Sequence, residues 1–233
     1  MKPWPTVTTK NKAWRLSAVH IEHAKKLQGC EDFKCNRLEH IGEMVPVPFA
    51  EFLGRQVKEK FGLGYVIDFC CGEGGFSKGF QKAGHRILLG IDKDPEVLRC
   101  YKRNIGEADT LCMDIRLLKG RKLALLKPYK NKRPLFVLAS PPCKDFSVAN
   151  RKRRYDLSVI RHCFWLISYL QPEVYIFENV PSTKKILHCG EIVDVGIFTG
   201  QRRLRWIYSN FDLRFNHVER TLDYFLRKER DEA

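Results

Sequence analysis

The chain has 233 residues, of which 44% are hydrophobic and 30% charged, enough apolar material for a packed core and too much for a disordered chain. Lys and Arg number 42 against 27 Asp and Glu, a formal net charge of +15, so a polyanionic partner is the first expectation. No apolar run reaches the roughly 18 residues of a membrane-spanning helix, and Met1–Lys12 is polar and basic rather than a secretory leader, so a cytoplasmic protein with no membrane partner is expected.

Two helices are predicted first, Ala18–Leu27 and Pro48–Phe61, joined by a polar, cysteine-containing loop. From Tyr65 onward apolar runs alternate with helical patterns. Strands are predicted at Tyr65–Cys71, Arg86–Asp92, Thr110–Ile115, Leu135–Ser140 and Glu173–Glu178, each a nearly continuous apolar run of the kind buried on both faces. Helices are predicted at Phe76–Ala83, Pro95–Asn104 and Tyr155–Leu170, with Asp94 as a cap before Pro95. Asn216–Arg230 reads as a short helix with a charged end. Repeated strand–helix–strand units imply an α/β domain with a doubly wound, mostly parallel sheet. The nine cysteines, an odd count that includes adjacent Cys70 and Cys71, read as reduced thiols rather than a disulfide framework.

The run Asp68-Phe69-Cys70-Cys71-Gly72-Glu73-Gly74-Gly75 closes the first strand and opens a helix. Glycines there let the backbone approach a ligand beside free helix N–H groups, although an ordinary tight turn would carry the same residues. Asp92 ends the next strand about 20 residues on, where an acid can bind a ribose hydroxyl, and Asp114 ends the third. Acids at successive strand ends point to an adenosine-containing cofactor, while the glycine spacing argues against a dinucleotide.

Ser140-Pro141-Pro142-Cys143 follows the fourth strand, its prolines fixing the backbone, and a thiolate placed there is a strong nucleophile. Glu178-Asn179 ends the next strand, where an enclosed carboxyl can hold a proton. The run Arg151-Lys152-Arg153-Arg154 lies close enough to Cys143 for phosphate contact, and a second basic stretch from Lys119 to Arg133 is expected to extend that track. His20, His23, Cys30 and Cys35 fit a zinc spacing only loosely, and no metal is expected.

These residues resemble the cytosine carbon-5 DNA methyltransferases. The resemblance rests on DFCCGEGG at Asp68–Gly75, GIDKDPEVLRCYKRN at Gly90–Asn104, Asp114, SPPCKDFS at Ser140–Ser147, FENV at Phe177–Val180 and QRRLR at Gln201–Arg205. Leu27-Gln28-Gly29 and Ile41–Ala50 are similar to the family's last two blocks, yet here they come first, so the chain looks circularly permuted. The organisation implied is one catalytic domain over 1–233: a permuted segment 1–62, a core 63–210 and a terminal helix 211–233.

The resemblance implies a Rossmann-like fold of the S-adenosylmethionine-dependent type and a restriction–modification context. It implies attack by Cys143 on cytosine, protonation by Glu178, base contacts from Arg203 and Arg205, and Asn179 holding the Pro-Cys loop. The cofactor S-adenosylmethionine, with S-adenosylhomocysteine as product, would meet Asp68, Phe69, Cys70, Gly72, Gly74, Asp92, Asp114, Pro141 and Glu43. Ser147, Gln201 and Arg151 to Arg154 would meet nucleic acid. Two departures are Cys70 where the family has an adenine-stacking Phe, and Glu43 where it has Asn. Only about 20 residues separate Val180 from Gln201, leaving no recognition domain of the usual kind. Cytosine in RNA as substrate, or a separate target-recognition subunit as partner, are the alternatives.

Overall fold

The computed structural model describes residues 18–34, 37–143, 156–200 and 203–215. These build α1 (Ala18–Gln28), α2 (Leu38–Glu43), α3 (Val47–Phe61), β1 (Tyr65–Phe69), α4 (Gly75–Lys82), β2 (Arg86–Asp92), α5 (Pro95–Ile105) and β3 (Asp109–Cys112). They continue with α6 (Lys127–Lys130), β4 (Leu135–Ala139), α7 (Ser158–Leu170), β5 (Val174–Asn179), α8 (Lys184–Leu187), β6 (Glu191–Asp194) and β7 (Leu204–Ser209). One seven-stranded sheet results, in the order β3-β2-β1-β4-β5-β7-β6. The strands β1 to β5 run parallel, and β7 is antiparallel to both β5 and β6. The order reverses between β1 and β4, the switch point at which such sheets open a crevice.

Alternation along each strand sorts side chains onto two faces. Val66, Phe136, Leu138, Val174 and Ile176 pack with Phe49, Leu53 and Val57 of α3 and with Phe76 and Phe80 of α4. Ile67, Phe69, Leu89, Val137 and Phe177 pack on the opposite face with Ile160, Cys163, Leu166 and Leu170 of α7. The spacing of three and four in α7 gives one continuous apolar stripe, and each such side chain contributes on the order of 1.5–3 kcal/mol on burial. A smaller cluster of Ala24, Cys30, Phe33, Ile41, Met44 and Val47 ties α1 and α2 to the start of α3.

Several expectations need correction. The predicted loop between the first two helices contains α2. The strand β1 stops at Phe69 because Cys70 turns into the left-handed region at φ 57°, where a Cβ is unfavourable and a strand cannot continue. The third strand is shorter than predicted and is not buried on both faces: it lies at the sheet edge, with Asp109, Thr110 and Cys112 exposed. Neither β6 nor β7 was predicted. The helix after Cys143 starts at Ser158, while Tyr155 and the predicted helix Asn216–Arg230 lie outside the described residues.

Candidate active site

All five parallel strands end at one edge, and the loops beyond them carry most of the expected site. On the β1–β2–β3 side, Gly72 adopts φ 54° and its N–H donates to Asp92 Oδ2 at 3.1 Å. The Asp94 N–H donates to Asp92 Oδ1 at 3.0 Å, so Asp92 braces both the glycine loop and the cap of α5. At Gly75 a Cβ would sit 2.2 Å from Met44 Cγ and from Val45 O, so only glycine lets the chain before α3 cross the first turn of α4. His40 of α2 reaches the same loop, its Nδ1 lying 2.8 Å from Glu73 Oε1.

Asp68 is fully buried. Its Oδ2 accepts from Ser77 Oγ at 2.7 Å, and Ser77 Oγ in turn lies 2.8 Å from Tyr101 Oη. Asp68 Oδ1 has no hydrogen-bond partner among the described residues, and burial pushes the carboxyl up to about 7. Gly74 lies against Tyr101 and Ile105 of α5 at φ 99°.

A small, partly open cavity lies beside this loop, lined by Cys70, Ile91, Asp92, Met113, Asp114, Ile115, Arg116, Pro142 and Val159 among others. Apolar walls with a few acids are the usual lining of a small-molecule site. Asp114 lies just past β3 and caps a 3₁₀ turn by accepting from the Arg116 N–H at 3.0 Å. The Arg116 guanidinium holds its carboxyl down to about 2. Phe69, expected to touch the cofactor, does not line this cavity: its ring is wholly buried in the core that packs on α7. Cys70 is the residue that reaches the cavity.

On the β4–β5–β7 side, Glu178 is 7% exposed and accepts from Arg205 Nε at 2.7 Å. Burial raises its carboxyl above the ordinary range, opposed by the charges of Arg205 and Arg203. Cys143 belongs to the same cluster: its thiol is raised first by burial, then by Glu178 and Glu43, and lowered by Arg205. Asn179 Nδ2 donates to Pro141 O at 3.0 Å, tying the end of β5 to the loop that carries Cys143.

Arg203 and Arg205 have different surroundings. Arg203 is 2% exposed, and its Nη2 donates to Gly42 O and Met44 O, each at 2.9 Å, clasping the backbone around Glu43. Its Nε and Nη1 have no partner among the described residues. Burial brings its guanidinium down to about 9. Glu43, expected at the cofactor, is thereby held on the Cys143 side of the edge.

Ser147, Arg151, Lys152, Arg153, Arg154 and Gln201, with Cys35, lie outside the described residues. The stretch from Lys119 to Arg133 does not extend a track beside Cys143 along its whole length. Its far end leads into Pro134, whose carbonyl accepts from Tyr65 N at 2.9 Å, at the edge where the strands begin. The five residues of β4 separate the two edges by about 17 Å. Sequence reasoning also missed His40 and the Ser77–Tyr101 pair, whose partners are remote in sequence, and Arg116, which forks its near neighbour Asp114 and also reaches the distant Ser158. Among the described residues no helix is long and apolar enough to cross a membrane.

A family model described as C-5 cytosine-specific DNA methylase matches residues 65–190. The chain is 32% identical over 124 residues to the type II methylase M.HgiDII of Herpetosiphon aurantiacus, a match covering 52% of this chain and 34% of the relative. It is 28% identical over 116 residues to the type II methyltransferase M.XorII of Xanthomonas oryzae, covering 49% and 27%. The chain thus spans about a third of the length of these curated relatives. A crystal structure described as a DNA modification methyltransferase encoded within an E. coli prophage shares the fold, with TM-score 0.50 and 22% identity, covering 64% of this chain and 49% of the other.

Proposed function

Because the chain belongs to the C-5 cytosine-specific DNA methylase family, we propose that it transfers a methyl group from S-adenosylmethionine to carbon 5 of cytosine in DNA. The observation that carries this reading is the meeting of Cys143 with the buried Glu178–Arg205 pair, beside a cavity edged by Asp92 and Asp114.

The residues present fit the cofactor. Asp92 would take ribose hydroxyls and Asp114 the adenine amine, with Cys70 and Pro142 as walls. Asp68, Gly72 and Gly74 would lie toward the methionine end, where the unpartnered Oδ1 of Asp68 suits an ammonium group. When bound, the cofactor supplies an electrophilic methyl group.

The protein's own residues make carbon 5 nucleophilic. Cys143 would release its thiol proton to solvent and form an Sγ–C6 bond, and the electrons of the ring double bond would shift toward carbon 5. Glu178, whose carboxyl burial shifts toward the protonated form, would donate to ring nitrogen 3 while Arg205 orients it. The unpartnered Nε and Nη1 of Arg203 are donors available to the base oxygen. Once carbon 5 is methylated, loss of its proton to solvent would re-form the double bond, expel the Cys143 thiolate and return the nitrogen proton to Glu178. A base stacked in a duplex cannot reach these groups, so the nucleotide flips out.

A circularly permuted single domain accounts for α2 and α3 preceding β1. Support comes from Arg203 clasping Gly42 and Met44 and from His40 meeting Glu73. Residues 181–200 are used to build α8, β6 and short turns and, among the described residues, hold no separate recognition domain; an RNA substrate, or target recognition by a separate chain, is the second reading.

Labelled S-adenosylmethionine offered with duplex DNA and with transfer RNA, followed by nucleoside analysis, tests the reading. Expected is 5-methylcytosine in DNA. Cys143→Ser should abolish it, and also abolish covalent trapping on DNA containing 5-fluorocytosine, while binding of S-adenosylhomocysteine persists. Normal turnover by Cys143→Ser would remove the nucleophile assignment, and label confined to RNA would favour the second reading.

A further inference from the structure

Arg116 takes no part in the chemistry proposed above, yet its guanidinium bonds in two directions. Its Nε and Nη2 fork the Asp114 carboxylate at 3.0 and 2.6 Å. Its Nη1 reaches Ser158 Oγ at 3.2 Å and lies 3.9 Å from Asp156 Oδ2. Asp156 and Ser158 form the entry to α7, where the Ser158 N–H donates to Asp156 Oδ1 at 2.8 Å.

Both elements joined in this way are walls of one cavity. Asp114 and Ile115 line it from the β3 side, Val159 lines it from α7, and Arg116 itself lines it between them. An exposed ion pair contributes only about 0–1 kcal/mol to folding, so global stability is a poor reason for this arrangement. A bidentate fork fixes direction as well as charge. Asp114 Oδ1 accepts from the Arg116 N–H and Nε, each at 3.0 Å. Oδ2 accepts from Nη2 at 2.6 Å and has only a longer 3.3 Å second contact, from Nε, which makes it the oxygen from which a ligand donor most easily displaces a contact.

We propose that Arg116 is a positioning residue for the adenosine end of the cofactor. It fixes the direction of the Asp114 carboxylate at the cavity and pins the α7 wall carrying Val159 opposite it. The ligand feature so selected is an exocyclic amine, since a carbonyl at that place would face a fixed carboxylate. This inference rests on the cofactor reading above.

Calorimetry on the full chain tests it, with S-adenosylhomocysteine and its deaminated counterpart S-inosylhomocysteine as probes. Arg116→Ala should weaken S-adenosylhomocysteine about tenfold, the loss of roughly one hydrogen bond to a charged group, with Tm changed by no more than about 2 °C. Affinity for S-inosylhomocysteine should change little, so the preference for the amine falls. Arg116→Lys should restore little, because an ammonium cannot fork one carboxylate while holding Ser158. Binding within roughly twofold of the parent, or equal loss for both probes, would overturn the role of Arg116 alone. Failure of the parent chain to bind S-adenosylhomocysteine would overturn it together with the cofactor reading.

Discussion

The two halves of the carboxyl edge hold their acids in opposite ways. On the β1–β2–β3 side, Asp92 and Asp114 are half-buried and are answered by backbone N–H groups and an exposed arginine. On the β4–β5–β7 side, Glu178 and Arg203 are almost wholly buried, at 7% and 2% exposure, and Arg205 meets Glu178 in the same enclosed cluster. A carboxylate held in its charged form, as Asp114 is by Arg116, is suited to accepting hydrogen bonds from a ligand. An acid whose charge is penalised by burial is suited to holding and releasing a proton. The division is therefore one of labour, binding on one side and proton transfer on the other.

Removing the proton donor breaks the comparison most severely. Glu178→Gln keeps an acceptor for Arg205 Nε and so preserves the local packing, but it has no proton to give. Methyl transfer should fall by roughly 10²–10⁴-fold, while calorimetry with S-adenosylhomocysteine should give the parent affinity. A matching loss of affinity would mean that the two halves are not separable.

Asp68 crosses the division, since it belongs to the first half by position and resembles the second by burial. Its carboxyl is raised from 3.8 to about 7 in the fold, so the native state holds the proton more tightly than the unfolded chain. The stability tied to that proton is complete below the ordinary value and is lost as pH rises through about 7. Roughly three pH units correspond to about 4 kcal/mol at most. Asp68→Asn, which can still accept from Ser77 Oγ, should remove this decline, and the variant should gain on the parent between pH 4 and 8 in urea unfolding. Parallel curves for the two proteins would show that Asp68 ionises freely.

The sequence made the first half more legible than the second, for reasons visible in particular residues. The predicted β2 coincides with the observed strand, Arg86–Asp92, because its apolar run ends in a charged turn. Asp94 accepts from the N–H groups of Glu96 and Val97 as its place before Pro95 implies. By contrast β7 mixes Arg205 with Trp206 and Ile207 and pairs on both sides, a pattern that a search for continuous apolar runs passes over. Arg203 is legible as part of the run QRRLR, but its clasp on Gly42 and Met44 spans 161 and 159 residues, and nothing local announces it. Phe69 shows the cost of reading adjacency as proximity, for its ring is buried in the core while its neighbour Cys70, turned into the left-handed region, reaches the cavity.

On the binding side, Asp92→Ala should weaken S-adenosylhomocysteine by roughly 1–3 kcal/mol, the range for hydrogen bonds to a charged group. Part of that loss would come through the glycine loop, since Gly72 N–H loses its acceptor. Titration calorimetry measures it, and an unchanged dissociation constant would take Asp92 out of the binding half.

Glu43 gives the smallest expected effect and decides on which side of the division the segment before α3 acts. Arg203 clasps the backbone on either side of it, and its carboxylate raises the Cys143 thiol, after burial and Glu178 and against Arg205. Glu43→Gln removes one of the charges that oppose thiolate formation, so the Cys143 thiol should titrate at lower pH than in the parent. Because Glu43 is exposed, solvent screens its charge and the shift should be smaller than that caused by Glu178→Gln. Alkylation by iodoacetamide across a pH series, followed at the Cys143 peptide by mass spectrometry, reads this directly. If the alkylation profile is unmoved while S-adenosylhomocysteine binds more weakly, Glu43 serves the cofactor; the reverse outcome places it with the nucleophile, where the Arg203 clasp holds it.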